Sequence, residues 1–172
     1  MSTHEPHSEG RPAPTPAHPV PGELVLGVDH VGIAVADLDA AIAFYAETFG
    51  MVCTHEEVNE AQGVREAMLS PASLAGTPDG AGSSAGFAAQ IQLLAPLSSE
   101  STIAKFLDRN GPGMQQLAYR VTDVVAVAEH LRSRGVRLLY DAPRGGTAGS
   151  LINFVHPKDA GGILVELVQP AQ

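Results

Sequence analysis

The stretch that decides the fold is VDHVGIAVADLDAAIAFY, residues 28–45. Up to Asp37, side chains alternate in the period-two pattern of a half-buried β-strand, whose successive side chains point to opposite faces. After Asp37, apolar residues recur at helical spacing, at Leu38, Ala41, Ile42 and Tyr45. An aspartate at this junction can accept hydrogen bonds from the first N–H groups of a helix. The stretch therefore predicts a strand that leads directly into an amphipathic helix.

The same pattern occurs a second time, in QQLAYRVTDVVAVAEHL at residues 115–131. His30 aligns with Gln116, and Asp37 aligns with Asp123. Each half of the chain is therefore predicted to begin with a strand and a helix that an aspartate caps.

The ends of the two halves also match. AQIQLLAP (89–96) aligns with ILVELVQP (163–170), which places Gln92 opposite Glu166. A segment rich in Gly, Ser, Ala and Pro (70–87) makes the first half longer and is predicted to be a flexible surface loop.

Each half is predicted to contain a strand, a helix and three further strands. The predicted strands lie at 28–35, 50–55, 63–69 and 88–94, and at 115–121, 136–140, 151–155 and 163–169. A helix at about 99–110, with Ser99 or Ser101 near its N-cap, is predicted to join the halves. The predicted fold class is α+β: two βαβββ modules, at about 27–98 and 113–170, form a curved, mostly antiparallel eight-stranded sheet. This sheet would surround a metal-binding cavity, with the helices on its outer face.

Composition limits the class of protein. A chain of 172 residues with 44% hydrophobic and 17% charged residues is typical of one folded domain, which we place at 23–172. Residues 1–22 contain six prolines and are predicted to be a disordered tail. The net charge of −9 argues against nucleic acid as a partner. No apolar run is long enough to cross a membrane, and the single cysteine favours a reducing compartment, which we predict to be the cytoplasm.

Strand parity places one polar residue on the inner face of each of four strands. These residues are His30, Gln92, Gln116 and Glu166, and small residues such as Gly32 leave space near them. One imidazole nitrogen, two amide oxygens and one carboxylate form a mixed nitrogen and oxygen donor set that suits a divalent metal ion. Glu66 has the parity that would let it face the same side.

Several longer segments resemble one known family. DHVGIAV is shared by the whole vicinal oxygen chelate (glyoxalase-fold) superfamily, whereas STIAKFL, GPGMQQLAYRV and FVHPKDAGGILVELV resemble the methylmalonyl-CoA epimerases within it. The resemblance covers about residues 27–170. It implies that His30, Gln92, Gln116 and Glu166 bind one divalent metal ion, cobalt(II) or else manganese or another divalent ion. It also implies an acid/base role for Glu66, an acyl-CoA substrate and a homodimer.

The chain departs from the family pattern at two places. Gln115-Gln116 stands where many relatives have two histidines, and Ser150 stands where a lysine is common. Gln116 replaces an imidazole ligand by an amide, while Gln115 has the opposite parity and is predicted to be a polar residue at the end of the strand.

The function predicted from this resemblance is the interconversion of (R)- and (S)-methylmalonyl-CoA. The α-proton would be removed and returned on the other face through a metal-stabilised enolate, with Glu66 and Glu166 as the two catalytic groups. Ethylmalonyl-CoA could fit the same chemistry. Two other functions stay open: a glyoxalase I-type lactoylglutathione lyase, and a metal-free protein of the same fold that sequesters a drug.

Overall fold

The computed structural model describes residues 20–75 and 88–171, which form one eight-stranded sheet and three α-helices. The first half contains β1 (Val25–Ala34), α1 (Leu38–Phe49), β2 (Met51–Asn59), β3 (Val64–Pro71) and β4 (Gln90–Pro96), and α2 (Thr102–Asn110) follows it. The second half contains β5 (Gly113–Val121), α3 (Val124–Ser133), β6 (Arg144–Gly145), β7 (Leu151–Val155) and β8 (Leu164–Gln169).

The sheet has the order β2-β3-β4-β1-β5-β8-β7-β6 and is curled into a half-barrel. β1 pairs in parallel with β4, and β5 pairs in parallel with its counterpart β8, whereas the other neighbouring strands are antiparallel. The predicted fold class is confirmed. The two starting strands, β1 and β5, lie side by side at the centre, so the inner faces of both halves meet there.

The predicted helix caps are present. The Asp37 carboxylate accepts a hydrogen bond from the backbone N–H of Ala40 (3.0 Å), and Asp123 does the same for Val125 and Ala126 (both 2.9 Å). Ser101 caps α2 through the N–H of Ala104 (3.1 Å). These bonds satisfy N–H groups that have no partner within the helix, and they fix where each strand turns into its helix.

α1 and α3 cover the outer face of the sheet, as predicted, whereas α2 packs on Ala34, Val64 and Leu94 at the inner face. α1 packs on Leu69 and Leu93, which are both fully buried. α3 packs in the same way on Val121 and Leu167. Because the apolar side chains are used on this face, the opposite face is free to carry polar groups.

The predicted strand at 136–140 is wrong. Only Leu138 forms an isolated bridge, with Val155, and the two-residue strand β6 pairs with β7 instead. The segment still lies along β7, because the N–H of Leu139 donates to the carbonyl oxygen of Phe154 and the N–H of His156 donates to that of Arg137 (both 2.8 Å). At Tyr140 the pairing does not continue, because the Asn153 side chain accepts from its N–H (3.3 Å) and donates to its carbonyl oxygen (3.0 Å).

Two predicted segments lie largely outside the described residues. Residues 1–19 of the predicted tail and 76–87 of the predicted loop are among them. Within residues 20–75 and 88–171, no helix is long and apolar enough to span a membrane.

Candidate active site

Four polar side chains meet on the inner face of the sheet, one from each of the central strands β4, β1, β5 and β8. They are the four predicted from parity, and all are buried, with exposures of 3–6%: His30, Gln92, Gln116 and Glu166. The strand register explains the meeting. Gly32 of β1 lies between Gln92 and Gln116 on the neighbouring strands, and Ala118 of β5 lies between His30 and Glu166.

The four side chains form a continuous chain of contacts. Oε2 of Glu166 lies 3.2 Å from Nε2 of His30 and accepts a hydrogen bond from Nε2 of Gln116 (2.5 Å). The same Gln116 nitrogen donates to Oε1 of Gln92 (3.2 Å). The structure therefore brings together every residue of the predicted donor set.

This arrangement fits a divalent metal ion. The set supplies one imidazole nitrogen, one carboxylate and two amides, and either end of an amide can be turned toward the centre. A Cβ atom at Gly32 would lie only 2.5 Å from Cγ of Gln116, so the glycine makes the space that Gln116 fills. Among the described residues, no group of three or more His, Cys, Asp or Glu side chains could hold a metal ion. A site here must therefore use its amides.

Asp29 orients His30, a role that the sequence pattern did not indicate. A β-bulge between Val28 and His30 adds one residue to β1, and the Asp29 carboxylate reaches Nδ1 of His30 (2.8 Å). Nε of Arg120 donates to the other oxygen of Asp29 (2.7 Å). Burial opposes ionisation of Asp29, but the hydrogen bonds from His30 and Arg120 lower its pKa. The adjacent Asp-His pair was the available signal, but strand alternation argued that they face apart.

Glu66 lies on β3, beside the donor set. It is 1% exposed, and its carboxylate accepts hydrogen bonds from Nε2 of Gln92 (2.9 Å) and from the hydroxyl of Thr147 (2.8 Å). Burial raises the pKa of Glu66 to about 7; the Thr147 bond opposes this shift, while the neighbouring Glu57 carboxylate adds to it.

Burial also acts against the charged form of His30, yet the carboxylates of Asp29 and Glu166 raise its pKa to about 9.

Thr147 was also missed. It lies between β6 and β7. Its hydroxyl bridges Glu66 and Gln92, because it also accepts a hydrogen bond from Nε2 of Gln92 (3.0 Å). No local sequence pattern indicates this contact, since Thr147 and Glu66 are far apart along the chain.

Cavities lie on both sides of the polar row. One, of about 560 Å³, is lined by His30, Arg120 and His55, and the other, of about 520 Å³, by Gln92 and Gln116. Thr147 and Glu166 line both. His55 lies at the rim of the first cavity, where its Nε2 is 2.5 Å from Oε2 of Glu57.

Gln115 differs from Gln116, as predicted from parity. Both glutamines line the second cavity, but Gln116 is buried in the polar row, whereas Gln115 is partly exposed. Its Oε1 is buried and has no hydrogen-bond partner in the described part of the chain. Among the hydrogen bonds of the described residues, none joins the Gln115 side chain to the four donor residues.

Comparison with known proteins agrees with the geometry. Residues 29–154 match the family model of the glyoxalase/bleomycin resistance protein/dioxygenase superfamily. An ethylmalonyl-CoA/methylmalonyl-CoA epimerase from Cereibacter sphaeroides is 35% identical over 144 residues, which cover 83% of this chain and 96% of the relative.

Solved structures extend the match. The crystal structure of methylmalonyl-CoA epimerase from Mycobacterium tuberculosis is 56% identical, with a TM-score of 0.77 over 90% of this chain and 95% of that chain. A methylmalonyl-CoA epimerase in complex with methylmalonyl-CoA and ammonium is 48% identical, with a TM-score of 0.76 over 86% and 96%. The chain belongs to the glyoxalase/bleomycin resistance protein/dioxygenase superfamily and, within it, to the methylmalonyl-CoA epimerase family.

Proposed function

We propose that this protein is a methylmalonyl-CoA epimerase, which interconverts the (R) and (S) forms of its substrate at the carbon between thioester and carboxylate. The observation that carries the proposal is the position of Glu66. A buried carboxylate with a raised pKa lies one hydrogen bond away from a compact donor set. The relatives whose names include this activity support the same assignment.

Epimerisation requires a base that removes the α-proton. Glu66 suits this role because a general base is most effective when its pKa is close to the working pH, and burial brings the pKa of Glu66 to about 7. Thr147 and Gln92 hold both of its oxygens, so the carboxylate keeps a fixed direction. We assign Glu166 as the group that exchanges the proton on the opposite face.

We assign His30, Gln92, Gln116 and Glu166 as the residues that hold one divalent ion. When bound, such an ion supplies Lewis-acid stabilisation, worth several kcal/mol, for negative charge that develops on the thioester oxygen. Cobalt(II) is our proposed ion, with manganese or another divalent ion as the substitute. Asp29 orients the imidazole, since its carboxylate accepts the Nδ1 hydrogen and leaves Nε2 facing the centre.

Asp29→Asn is expected to weaken binding of Co²⁺ by about 10- to 100-fold, the usual cost of removing such a supporting carboxylate. The amide of asparagine is neutral, so it lacks the negative charge with which Asp29 contacts both His30 and Arg120. Calorimetric titration of the purified protein with CoCl₂ measures the change. Asp39→Asn is the matched control because Asp39 pairs with Arg65, away from the donor set. Equal Co²⁺ affinity in Asp29→Asn and wild type would show that Asp29 does not support the site.

The proposed activity is tested by deuterium exchange. In D₂O, the protein should exchange the α-hydrogen of methylmalonyl-CoA and interconvert its two forms. Pretreatment with EDTA should abolish both processes, and added Co²⁺ should restore them. Mass spectrometry follows exchange, and chiral chromatography follows epimerisation. Undiminished exchange in a protein shown to be metal-free would contradict the metal assignment, and no exchange at any metal content would contradict the activity.

Ethylmalonyl-CoA is a second candidate substrate. The relative from Cereibacter sphaeroides carries both substrates in its name. The same assay with ethylmalonyl-CoA tests it, since the two molecules differ by one methylene group. A glyoxalase I-type lyase would instead convert the hemithioacetal of glutathione, and a drug-sequestering protein would show no turnover of either thioester.

A further inference from the structure

The segment Gly146–Gly149 joins two ends of the sheet that are far apart in strand order. It connects β6 to β7 at one end, yet it contacts β3 through Thr147 and β2 through Ala148 at the other. This contact is possible because the sheet is curled. The position of the Thr147 hydroxyl on Glu66 therefore depends on what holds the segment against β2.

Glu57 of β2 makes the contact that holds it. Oε2 of Glu57 accepts a hydrogen bond from the backbone N–H of Ala148 (3.2 Å) and lies 2.5 Å from Nε2 of His55. Glu57 is directly opposite Glu66 in the β2–β3 register, so both side chains lie on the same face of the sheet. The side chain is only partly exposed, at 28%.

The backbone at Ala148 shows that the segment is held in place. Its φ of 53° and ψ of 32° lie in the left-handed region, and it is the only non-glycine residue with a positive φ among residues 20–75 and 88–171. An alanine keeps this conformation only where its surroundings enforce it. Gly146, at the other end of the segment, is closely packed against Ile152: a Cβ atom added at Gly146 would lie 2.5 Å from Cγ2 of Ile152.

We infer that Glu57 is a positioning residue for epimerisation: it holds Ala148 in place, so that the Thr147 hydroxyl stays on the carboxylate of Glu66. The inference rests on the proposed function, because it assigns Glu57 a part in the reaction through Thr147 and Glu66. Glu57 acts here through the hydrogen bond that it accepts from Ala148. Its charge also helps to raise the pKa of Glu66, an effect that Glu57→Gln removes and Glu57→Asp keeps.

The experiment compares Glu57 variants in the metal-loaded enzyme. Glu57→Ala is expected to lower kcat by about tenfold, because small displacements of a group at the reacting centre are costly. KM for methylmalonyl-CoA should stay within about twofold, since binding of the thioester is untouched. Glu57→Gln should recover most of the rate, because its amide oxygen can still accept from Ala148. Glu57→Asp should recover less, because its carboxylate is one methylene shorter.

Two further variants separate positioning from a general structural effect. Glu56→Ala is the matched control, since Glu56 is the preceding residue on β2 and pairs with Arg65 rather than with the segment. It should leave kcat unchanged. In a Thr147→Ala background, the loss caused by Glu57→Ala should shrink to the part that comes from the direct effect of Glu57 on the pKa of Glu66, because the positioning of Thr147 no longer contributes.

The inference is overturned if Glu57→Ala keeps kcat within twofold of wild type, or if its loss is fully retained in the Thr147→Ala background. Should Glu57→Ala fail to fold, the kcat values of the two conservative variants decide the question. A higher kcat in Glu57→Gln than in Glu57→Asp supports the inference. The reverse order would mean that the negative charge matters more than the hydrogen bond, and it would overturn the inference. A wild-type enzyme that does not epimerise methylmalonyl-CoA would instead contradict the proposed function.

Discussion

Glu66→Gln is expected to lower kcat for epimerisation by about a thousandfold while the protein keeps its metal, because an amide cannot take the α-proton. The replacement has nearly the same shape, so its side chain still fits between Thr147 and Gln92. Chiral chromatography of methylmalonyl-CoA measures the rate, and elemental analysis of the purified variant measures the metal.

Deuterium exchange gives this prediction a sharper form. If Glu66 and Glu166 act on opposite faces, Glu66→Gln should exchange the α-hydrogen of only one of the two forms of methylmalonyl-CoA in D₂O. Glu56→Gln, on the outer side of β2, is the matched control and should exchange both. Near-normal epimerisation by Glu66→Gln, with exchange of both forms, would remove Glu66 from the mechanism.

Gln116→Ala is expected to weaken binding of Co²⁺ by more than about a hundredfold, since it removes a proposed ligand outright and supporting groups alone are worth 10- to 100-fold. Epimerisation should fall with the metal content. Gln116 donates hydrogen bonds to both Glu166 and Gln92, so its removal also interrupts the contacts that link the four donor side chains.

The neighbouring glutamine provides the control. Gln115→Ala should keep the Co²⁺ affinity of the wild type, because Gln115 lies outside the polar row. Titration with CoCl₂ compares the two variants at equal protein concentration. Equal retention of Co²⁺ by both would show that Gln116 is not a ligand, and loss in both would mean that the strand end as a whole supports the site.

The repeat made most of the fold predictable. Period-two and helical patterns, with Asp37 and Asp123 at their junctions, placed β1, α1, β5 and α3, because such patterns record which side of each element is buried. The same parity placed His30 and Gln116 on one face. The predicted strand at 136–140 was wrong because, although the segment lies along β7, the Asn153 side chain binds both backbone groups of Tyr140, and side-chain periodicity does not reveal such a contact.

The sequence by itself determined the two modules, their caps and the inner polar row of four residues, since these follow from local periodicity. The tertiary structure alone decided three further features: the bulge that turns Asp29 toward His30, the contact of Thr147 with Glu66, and the hold of Glu57 on Ala148. The last two depend on the curl of the sheet, which brings the segment between β6 and β7 onto β2 and β3. Strand order and curvature are properties of the assembled sheet, and no single stretch of the chain encodes them.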